Sequence, residues 1–267
     1  MINEIENIEI VSPTQPDSSV VADGDLIVDQ ALLDNGVDLY NRQSSLGIAV
    51  PNHVLVIGVG GVGSWVALNF ALIGVQNLTL VDADKIDTSN LNRTMFKTSN
   101  VGQYKTVAMK DLILERRPHC NVFSYTRKFE ELPESIQKIA ESVITIDCRD
   151  SIKPLNRVKS PIIGGYNGLS ATIHILPELK HIWGEEESPY TITPSYVVVP
   201  EVIASVIVNH VCVENRKNVK ESIMNIDFKK LVNHFEQEPK SKQATLETAS
   251  GTTAKKRTTR KKAVGHD

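Results

Sequence analysis

The sequence has few cysteines and no long apolar run. Its cysteines are Cys120, Cys148 and Cys212. A paired CxxC knuckle closes its tetrahedral zinc site with four thiolates, so three cysteines exclude it, and no structural zinc is expected. No apolar stretch is long enough to cross a bilayer, and the first residues lack a signal-peptide pattern. These absences predict a cytoplasmic protein, with thiols kept reduced and no membrane partner.

The net charge is only −3, but acidic and basic residues are unevenly distributed. Residues 1–35 combine prolines and acids with few large apolar groups, which predicts an acidic, weakly ordered arm. Residues 237–267 are rich in Lys, Thr, Ala and Ser, which predicts a basic, disordered tail. Nucleic acid is expected to bind only through this tail, if at all. Residues 36–236 remain for a single catalytic domain.

A strand, a helix and a second strand follow one another early in that domain. Residues 53–58 form a continuous apolar run, 62–73 have a helical repeat, and 78–81 are apolar again. This order defines a βαβ unit with a right-handed crossover. Strands and helices continue to alternate, and residues 170–176 predict an antiparallel edge strand. The fold class is therefore α/β: a Rossmann-like, doubly wound, mostly parallel sheet with a mixed extension, with flexible N- and C-terminal arms.

A glycine-rich turn joins the first strand to its helix. It contains Gly58, Gly60, Gly61 and Gly63, and Asp82 ends the second strand. Such glycines let a phosphate approach the helix N-terminus, and a carboxylate in that position normally receives the ribose hydroxyls. The alternative is a turn that only packs the helix on the sheet. Asp82 in register favours a nucleotide.

The glycine turn alone does not distinguish NAD from ATP, because both present ribose and phosphate to the same crevice. The polar residues that follow favour ATP. They are Asp84, Asp87, Asn90, Arg93, Lys105 and Asp150. Cationic groups suit a triphosphate, and a carboxylate suits Mg²⁺. A hydride-transfer site usually needs less charge.

Several ordered blocks resemble the ThiF, MoeB and HesA family and the ubiquitin-activating enzymes. Residues 80–93, LVDADKIDTSNLNR, resemble the family pattern DxDxVxxSNLxRQ. The shorter matches are 39–43 to RYsRQ, 101–105 to vGxxK, 117–122 to iNPhvxv, and 146–150 to DcxDn. Several blocks in the family's order are far less probable by chance than one.

The resemblance implies ATP- and Mg²⁺-dependent adenylation of a carboxylate. The implied substrate is the C-terminus of a ubiquitin-like or sulfur-carrier protein ending in Gly-Gly. Asp82 would hold the ribose, Asn90 and Arg93 the α- and β-phosphate region, and Lys105 the phosphates. Asp150 would bind the magnesium. Arg93, Lys105 and Asp150 are thus the catalytic candidates, and the four glycines complete the nucleotide site.

The roles of one carboxylate, Asp84, and one arginine, Arg42, stay open. Asp84 is counted with the nucleotide-binding residues, and an alternative role is to order its loop. Arg42 matches an arginine that in relatives often reaches the ATP of the partner subunit, which predicts a homodimer. A surface ion pair is the alternative for Arg42. The apolar helix 202–213 also favours a dimer, because it has no evident face for water.

The chain departs from the family pattern in three places. Ser151 replaces the usual asparagine after the magnesium aspartate, the zinc knuckle is missing, and residues 176–195 lack the cysteine of thioester-forming relatives. The acyl-adenylate is therefore expected to pass directly to its acceptor. The acidic, aromatic segment 182–190 could be a crossover loop over the substrate tail or an ordinary surface loop. The alternative functions are an NAD-binding oxidoreductase and a non-catalytic nucleotide-binding partner.

Overall fold

The computed structural model describes residues 39–150, 155–158, 161–175, 194–213 and 222–230. The chain divides into two units, Met1–Ser45 and Leu46–Asp267. In the first unit the described element is the short helix α1 (Asn41–Ser44), whose Arg42 is exposed. The acidic arm 1–35, the crossover segment 182–190 and the basic tail 237–267 lie outside the described residues.

The described part of the second unit is built on a seven-stranded sheet. Its strands are β1 (His53–Ile57), β2 (Asn77–Val81), β3 (Asn121–Tyr125), β4 (Ile144–Asp147), β5 (Ile162–Asn167), β6 (Ser170–Ile175) and β7 (Ser222–Asp227). They lie in the order β3-β2-β1-β4-β5-β6-β7. The first five strands of this order are parallel, and β6 and β7 are antiparallel to their neighbours. The predicted mostly parallel sheet with a mixed extension is confirmed.

Helices and turns cover both faces of the sheet. The helices are α2 (Gly61–Leu72), α3 (Lys105–Arg116), α4 (Glu134–Gln137) and α5 (Val198–Val213). Val54 and Val56 of β1 pack in one core cluster with α2, α3 and α5. The alternate residues Leu55 and Ile57 pack in a second cluster with Phe129 and other residues that follow β3. Among the described helices, none has the length and apolarity needed to span a membrane.

The antiparallel extension differs from its predicted form. Strand β6 is antiparallel to β5, as predicted, but β7 pairs along its other side. The prediction that residues 170–176 form an edge strand is therefore wrong. The sequence patterns did not predict strand β7. Its first four residues are all exposed, and its sequence lacks the apolar–polar alternation of a half-buried strand.

Helix α5 does have a face for water. Glu201, Ser205 and Asn209 follow one another at helical spacing and are exposed. The opposite side of the helix is buried, and Ile203 and Ile207 approach Gly164 of β5. Packing within one chain thus accounts for the apolar composition of α5, and that composition does not by itself require a second copy.

The backbone packs closely where β1 turns into α2. Gly58 has a φ of +84°, and a Cβ placed there would lie 2.8 Å from the carbonyl oxygen of Cys148. A Cβ on Gly63 would lie 1.8 Å from the carbonyl oxygen of Gly58. Around Gly60, in contrast, no atom lies within 4 Å of a Cβ position. Gly58 and Gly63 are therefore required for the backbone packing of this turn.

We expect Gly63→Ala to lower the free energy of unfolding by about 3 kcal/mol, because the new methyl group forces the turn apart. Gly60→Ala is the matched control and should cost less than about 1 kcal/mol. Urea denaturation monitored by circular dichroism measures both values. Equal destabilisation by the two substitutions would contradict this account of the turn.

Candidate functional site

A cleft of about 440 Å³ opens beyond the carboxyl ends of β1, β2, β3 and β4. From β1, the chain builds the sheet first in one direction, through β2 and β3, and then in the other, through β4 and β5. Doubly wound sheets bind ligands at such a reversal of strand order. The cleft brings together six of the predicted site residues: Gly58, Gly60, Asp82, Asp84, Lys105 and Asp150. These residues come from four separate parts of the sequence, so the fold assembles the site.

The carboxylate of Asp82 joins the two backbone segments at the base of the cleft by accepting a hydrogen bond from each. Its Oδ2 accepts a hydrogen bond from the backbone N–H of Val59 at 2.6 Å, and its Oδ1 accepts one from Asp84 N–H at 2.8 Å. Burial raises the pKa of Asp82, while the nearby charge of Lys105 opposes that rise. A carboxylate has about four acceptor positions, so two remain for the hydroxyls of a ribose.

Lys105 lies in the cleft already paired with a carboxylate. Its Nζ is 2.8 Å from Oδ2 of Asp84, and its backbone N–H donates to the carbonyl oxygen of Asp84. The Lys105 side chain is 11% exposed and that of Asp84 is 69% exposed. Such a half-exposed pair contributes little stability. Lys105 can therefore exchange Asp84 for a phosphate at low cost, and Asp84 both lines the cleft and orders its loop.

Asn90 and Arg93 do not line this cleft. Oδ1 of Asn90 accepts from the backbone N–H of Asp87, and Asp87 in turn accepts from Ser89 N–H. These bonds cap the short 3₁₀ helix Thr88–Asn90. The guanidinium of Arg93 donates to the Ser89 carbonyl and to Oδ1 of Asn92. The structure thus gives the Asn90 side chain a local structural role.

Arg93 instead adjoins the first residue of helix α2. A Cβ placed on Gly61 would lie 2.8 Å from the hydroxyl of Tyr166, and 3.5 Å from Cδ of Arg93 and from Cβ of Pro200. The Trp65 indole N–H donates to the carbonyl oxygen of Arg93 at 3.0 Å. Arg93 and Gly61 therefore lie on the α5 side of the glycine turn.

Tyr166 and Ser195 belong to this second group, and the sequence motifs missed both. The Tyr166 hydroxyl and Ser195 Oγ are 2.6 Å apart, and the Asn92 amide donates to the Ser195 carbonyl at 2.9 Å. Tyr166 lies near the carboxyl end of the parallel strand β5, a position from which side chains often reach ligands. The cleft also contains four charged residues that the motifs missed: Arg127, Lys128, Glu130 and Arg149.

Asp150 is the magnesium candidate, and it is an exposed residue of the cleft. Among the described residues, no three His, Cys, Asp or Glu side chains are grouped to hold a metal ion. Mg²⁺ in nucleotide sites commonly takes one or two carboxylates together with phosphates and water. One carboxylate beside a phosphate site therefore fits Mg²⁺ carried by a nucleotide. Ser151 lies outside the described residues.

The cysteines lack the features of nucleophiles. Burial raises the pKa of Cys120 to about 11. Burial also raises the pKa of Cys148, and the charge of Asp147 adds to that rise. Cys212 is buried within α5. The thiolate is the reactive form, so these environments suppress nucleophilic attack at neutral pH.

The sheet order and the glycine turn define the class of Rossmann-type nucleotide-binding folds. Residues 48–160 match the ThiF family. This match agrees with the family resemblance of the motif blocks. In fold, it is similar to the crystal structure of selenomethionine PaaA, with a TM-score of 0.53 and 17% identity over 79% of this chain and 77% of that one. At this identity, the similarity concerns the fold alone.

The curated proteins that share sequence with this part of the chain include the following two. Molybdopterin-synthase adenylyltransferase of Escherichia coli is 31% identical over 122 residues, which cover 43% of this chain and 49% of that protein. tRNA threonylcarbamoyladenosine dehydratase of Haemophilus influenzae is 42% identical over 88 residues, covering 33% of this chain and 34% of that protein. The chain thus spans about half or less of the length of these relatives.

We expect the carboxyl carbon of Asp82 to titrate above the usual aspartate pKa of about 3.9, because the carboxylate is partly desolvated. Lys105→Met should raise this pKa further, since it removes the charge that lowers it. The ionised form is then lost at a higher pH as the solution is acidified. Carbon-13 NMR, with Asp82→Asn to assign the signal, measures the shift.

Lys110→Met is the matched control, on the same helix and outside the cleft, and should leave the Asp82 pKa unchanged. The raised pKa also fixes the sign of the stability effect. The contribution of Asp82 to stability is fully present below its unfolded pKa and is lost as pH rises through the folded value. An Asp82 pKa that does not respond to Lys105→Met would contradict the charge contact.

Proposed function

We propose that this protein uses ATP and Mg²⁺ to adenylate a carboxylate, namely the C-terminus of a ubiquitin-like or sulfur-carrier protein ending in Gly-Gly. The observation that supports this most is the meeting of a glycine turn with Asp82, Lys105 and Asp150 in one cleft. A ribose site, a phosphate site and a magnesium carboxylate are the parts that adenylation needs. The match to the ThiF family supports the same reaction.

In the proposed reaction, an oxygen of the substrate carboxylate attacks the α-phosphorus of ATP and pyrophosphate leaves. The attacking carboxylate is already ionised near neutral pH, so no general base is required. Negative charge grows on the phosphoryl oxygens and on the leaving group, where Lys105 would stabilise it after releasing Asp84. Arg93 would act from the α5 side of the glycine turn. Mg²⁺ held by Asp150 would supply further charge neutralisation.

The relative named adenylyltransferase supports this proposal, although the shared region covers half of that protein. The relative named tRNA threonylcarbamoyladenosine dehydratase favours a second candidate, in which the same cleft acts on that nucleoside of a tRNA. The two candidates differ in the molecule that enters the cleft. They share the nucleotide site.

We expect ATP–pyrophosphate exchange that requires both Mg²⁺ and a Gly-Gly carrier. Arg93→Ala should lower the exchange rate at saturating substrate. The expected loss of transition-state stabilisation is about 2–4 kcal/mol, the usual effect of losing one preorganised donor. Asp150→Ala should abolish the Mg²⁺-dependent exchange. Arg116→Ala, at the exposed end of α3, is the matched control and should exchange normally.

The other outcomes separate the alternatives. Unchanged exchange in Asp150→Ala would remove its magnesium role, and an Arg93→Ala defect confined to KM would contradict the role of Arg93 in the transition state. ATP consumption that requires a threonylcarbamoyladenosine-containing tRNA would support the second candidate. Nucleotide binding without exchange would indicate a non-catalytic partner, and turnover of NAD would indicate an oxidoreductase.

We also propose a homodimer in which Arg42 of one copy reaches the nucleotide of the other. Sedimentation should report twice the chain mass of 29.5 kDa. Mixing Arg42→Ala with Asp150→Ala should restore exchange, because the Arg42→Ala copy keeps its Asp150 and receives Arg42 from the other chain. Mixing that restores no exchange, or a fully active monomer, would contradict site sharing.

The remaining expectations concern the basic tail, the cellular location and the fate of the acyl-adenylate, and the tail lies outside the described residues. The basic tail 237–267 is proposed to contribute to partner or nucleic-acid attachment without a part in adenylation. Its alternative role is to keep the protein in solution. Cytoplasmic localisation and direct transfer of the acyl-adenylate, without a thioester, belong to the same proposal.

A further inference from the structure

The turn that carries Asp150 is held by an ion pair between two residues just before it, Asp147 and Arg149. Asp147 ends β4 and is 1% exposed, and Arg149 folds back onto it. Nε of Arg149 lies 2.9 Å from Oδ1 of Asp147, and Nη2 lies 2.8 Å from Oδ2. The backbone N–H of Arg149 also donates to Oδ1, at 3.2 Å. One carboxylate thus fixes both the side chain and the backbone of Arg149.

The glycine turn holds the same segment from the other side. The N–H of Cys148 donates to the carbonyl oxygen of Ile57 at 2.7 Å. A Cβ on Gly58 would lie 2.8 Å from the carbonyl oxygen of Cys148 and 3.0 Å from the backbone nitrogen of Arg149. The peptide between Cys148 and Arg149 therefore rests directly on the phosphate-binding turn, and Asp150 is the next residue.

The two ion pairs of Arg149 differ in how much they contribute to stability. Nη1 lies 3.1 Å from Oε1 of Glu130, whose side chain is 54% exposed, so this contact contributes little. Asp147 is buried, and removing its partner would leave an uncompensated charge away from water. Arg149 is 20% exposed and its charge is committed to these two carboxylates. It therefore faces the cleft without being free to bind phosphate.

We propose that Asp147 and Arg149 are a positioning pair for Asp150: they hold its turn against the glycine turn, so that its carboxylate meets the Mg²⁺ of a bound nucleotide. The pair acts through Asp150 and does not touch the reacting atoms. This inference rests on the proposed function, since it uses Asp150 as the magnesium carboxylate. It adds a residue, Arg149, whose position in the DcxDn motif is otherwise unassigned.

The test compares nucleotide affinity with and without Mg²⁺. A fluorescent, non-hydrolysable ATP analogue is titrated into the full chain, and the ratio of the two Kd values gives the gain due to Mg²⁺. Asp150→Asn should remove this gain. Arg149→Gln should reduce it by about 10-fold, the usual effect of losing a residue that orients a metal ligand, while the Kd without Mg²⁺ stays within about 2-fold.

Arg157→Gln is the matched control. Arg157 is 31% exposed and pairs with Glu134 and Glu141, none of which lines the cleft. This variant loses two arginine ion pairs with exposed carboxylates outside the cleft and should keep the full gain. Arg149→Lys keeps the charge with fewer contacts and should restore part of the gain. If Arg149→Gln does not fold, as its melting curve would show, Arg149→Lys is compared with Arg157→Lys instead.

The results separate this inference from the proposed function. Arg149→Gln with the full Mg²⁺ gain, like Arg157→Gln, would overturn the positioning role whatever its effect on stability. A wild-type protein without any Mg²⁺ gain would overturn it too, because nothing would remain for the pair to position. A gain that depends on Asp150 and Arg149, in a protein that exchanges no pyrophosphate with any carrier, would support the positioning pair and contradict adenylation.

Discussion

The site depends on one backbone contact, the approach of Gly58 to the peptide that follows β4. There the end of β1 is hydrogen-bonded to both neighbouring strands, through Gly58 N–H to Val81 and through Cys148 N–H to Ile57. A side chain at Gly58 would collide with the peptide between Cys148 and Arg149 and push β1 away from the end of β4. Because the contact holds the ends of three strands together, it also sets the distance between Asp82 and Asp150. The glycine is thus needed for the geometry of the site as well as for space near a phosphate.

The charges around this contact are paired with other side chains of the chain. Lys105 is paired with Asp84, and Arg149 with Asp147. The carboxylates of the two pairs differ in exposure, so the two pairs differ in how easily they can be broken. Asp84 is largely exposed and can be replaced by a phosphate, whereas Asp147 is buried and its pair has to persist. Pairing of this kind would reduce the reorganisation needed when charge develops in the proposed reaction.

The sequence predicts the central part of the site because local patterns determine it. A strand, a glycine turn and a helix fix where Gly58 and Gly60 lie, and β2 must then bring Asp82 beside them. Tyr166 and Ser195 escaped prediction because their contact joins distant segments without a motif. Asn90 matched the family block, yet its side chain caps a turn, since short polar side chains compete for nearby backbone groups. Strand β7 and the exposed stripe of α5 depend on tertiary packing that the pattern does not encode.

The central claim is that a substrate carboxylate attacks the α-phosphorus of ATP in the cleft of Asp82, Lys105 and Asp150. Isotope transfer tests it most directly. A carrier labelled with oxygen-18 in its C-terminal carboxylate is turned over with ATP, Mg²⁺ and an acceptor, and the products are analysed by mass spectrometry. The account predicts AMP that contains one labelled oxygen, because the attacking oxygen stays on phosphorus when the acyl group leaves. Unlabelled AMP, or ADP with labelled phosphate, would contradict it.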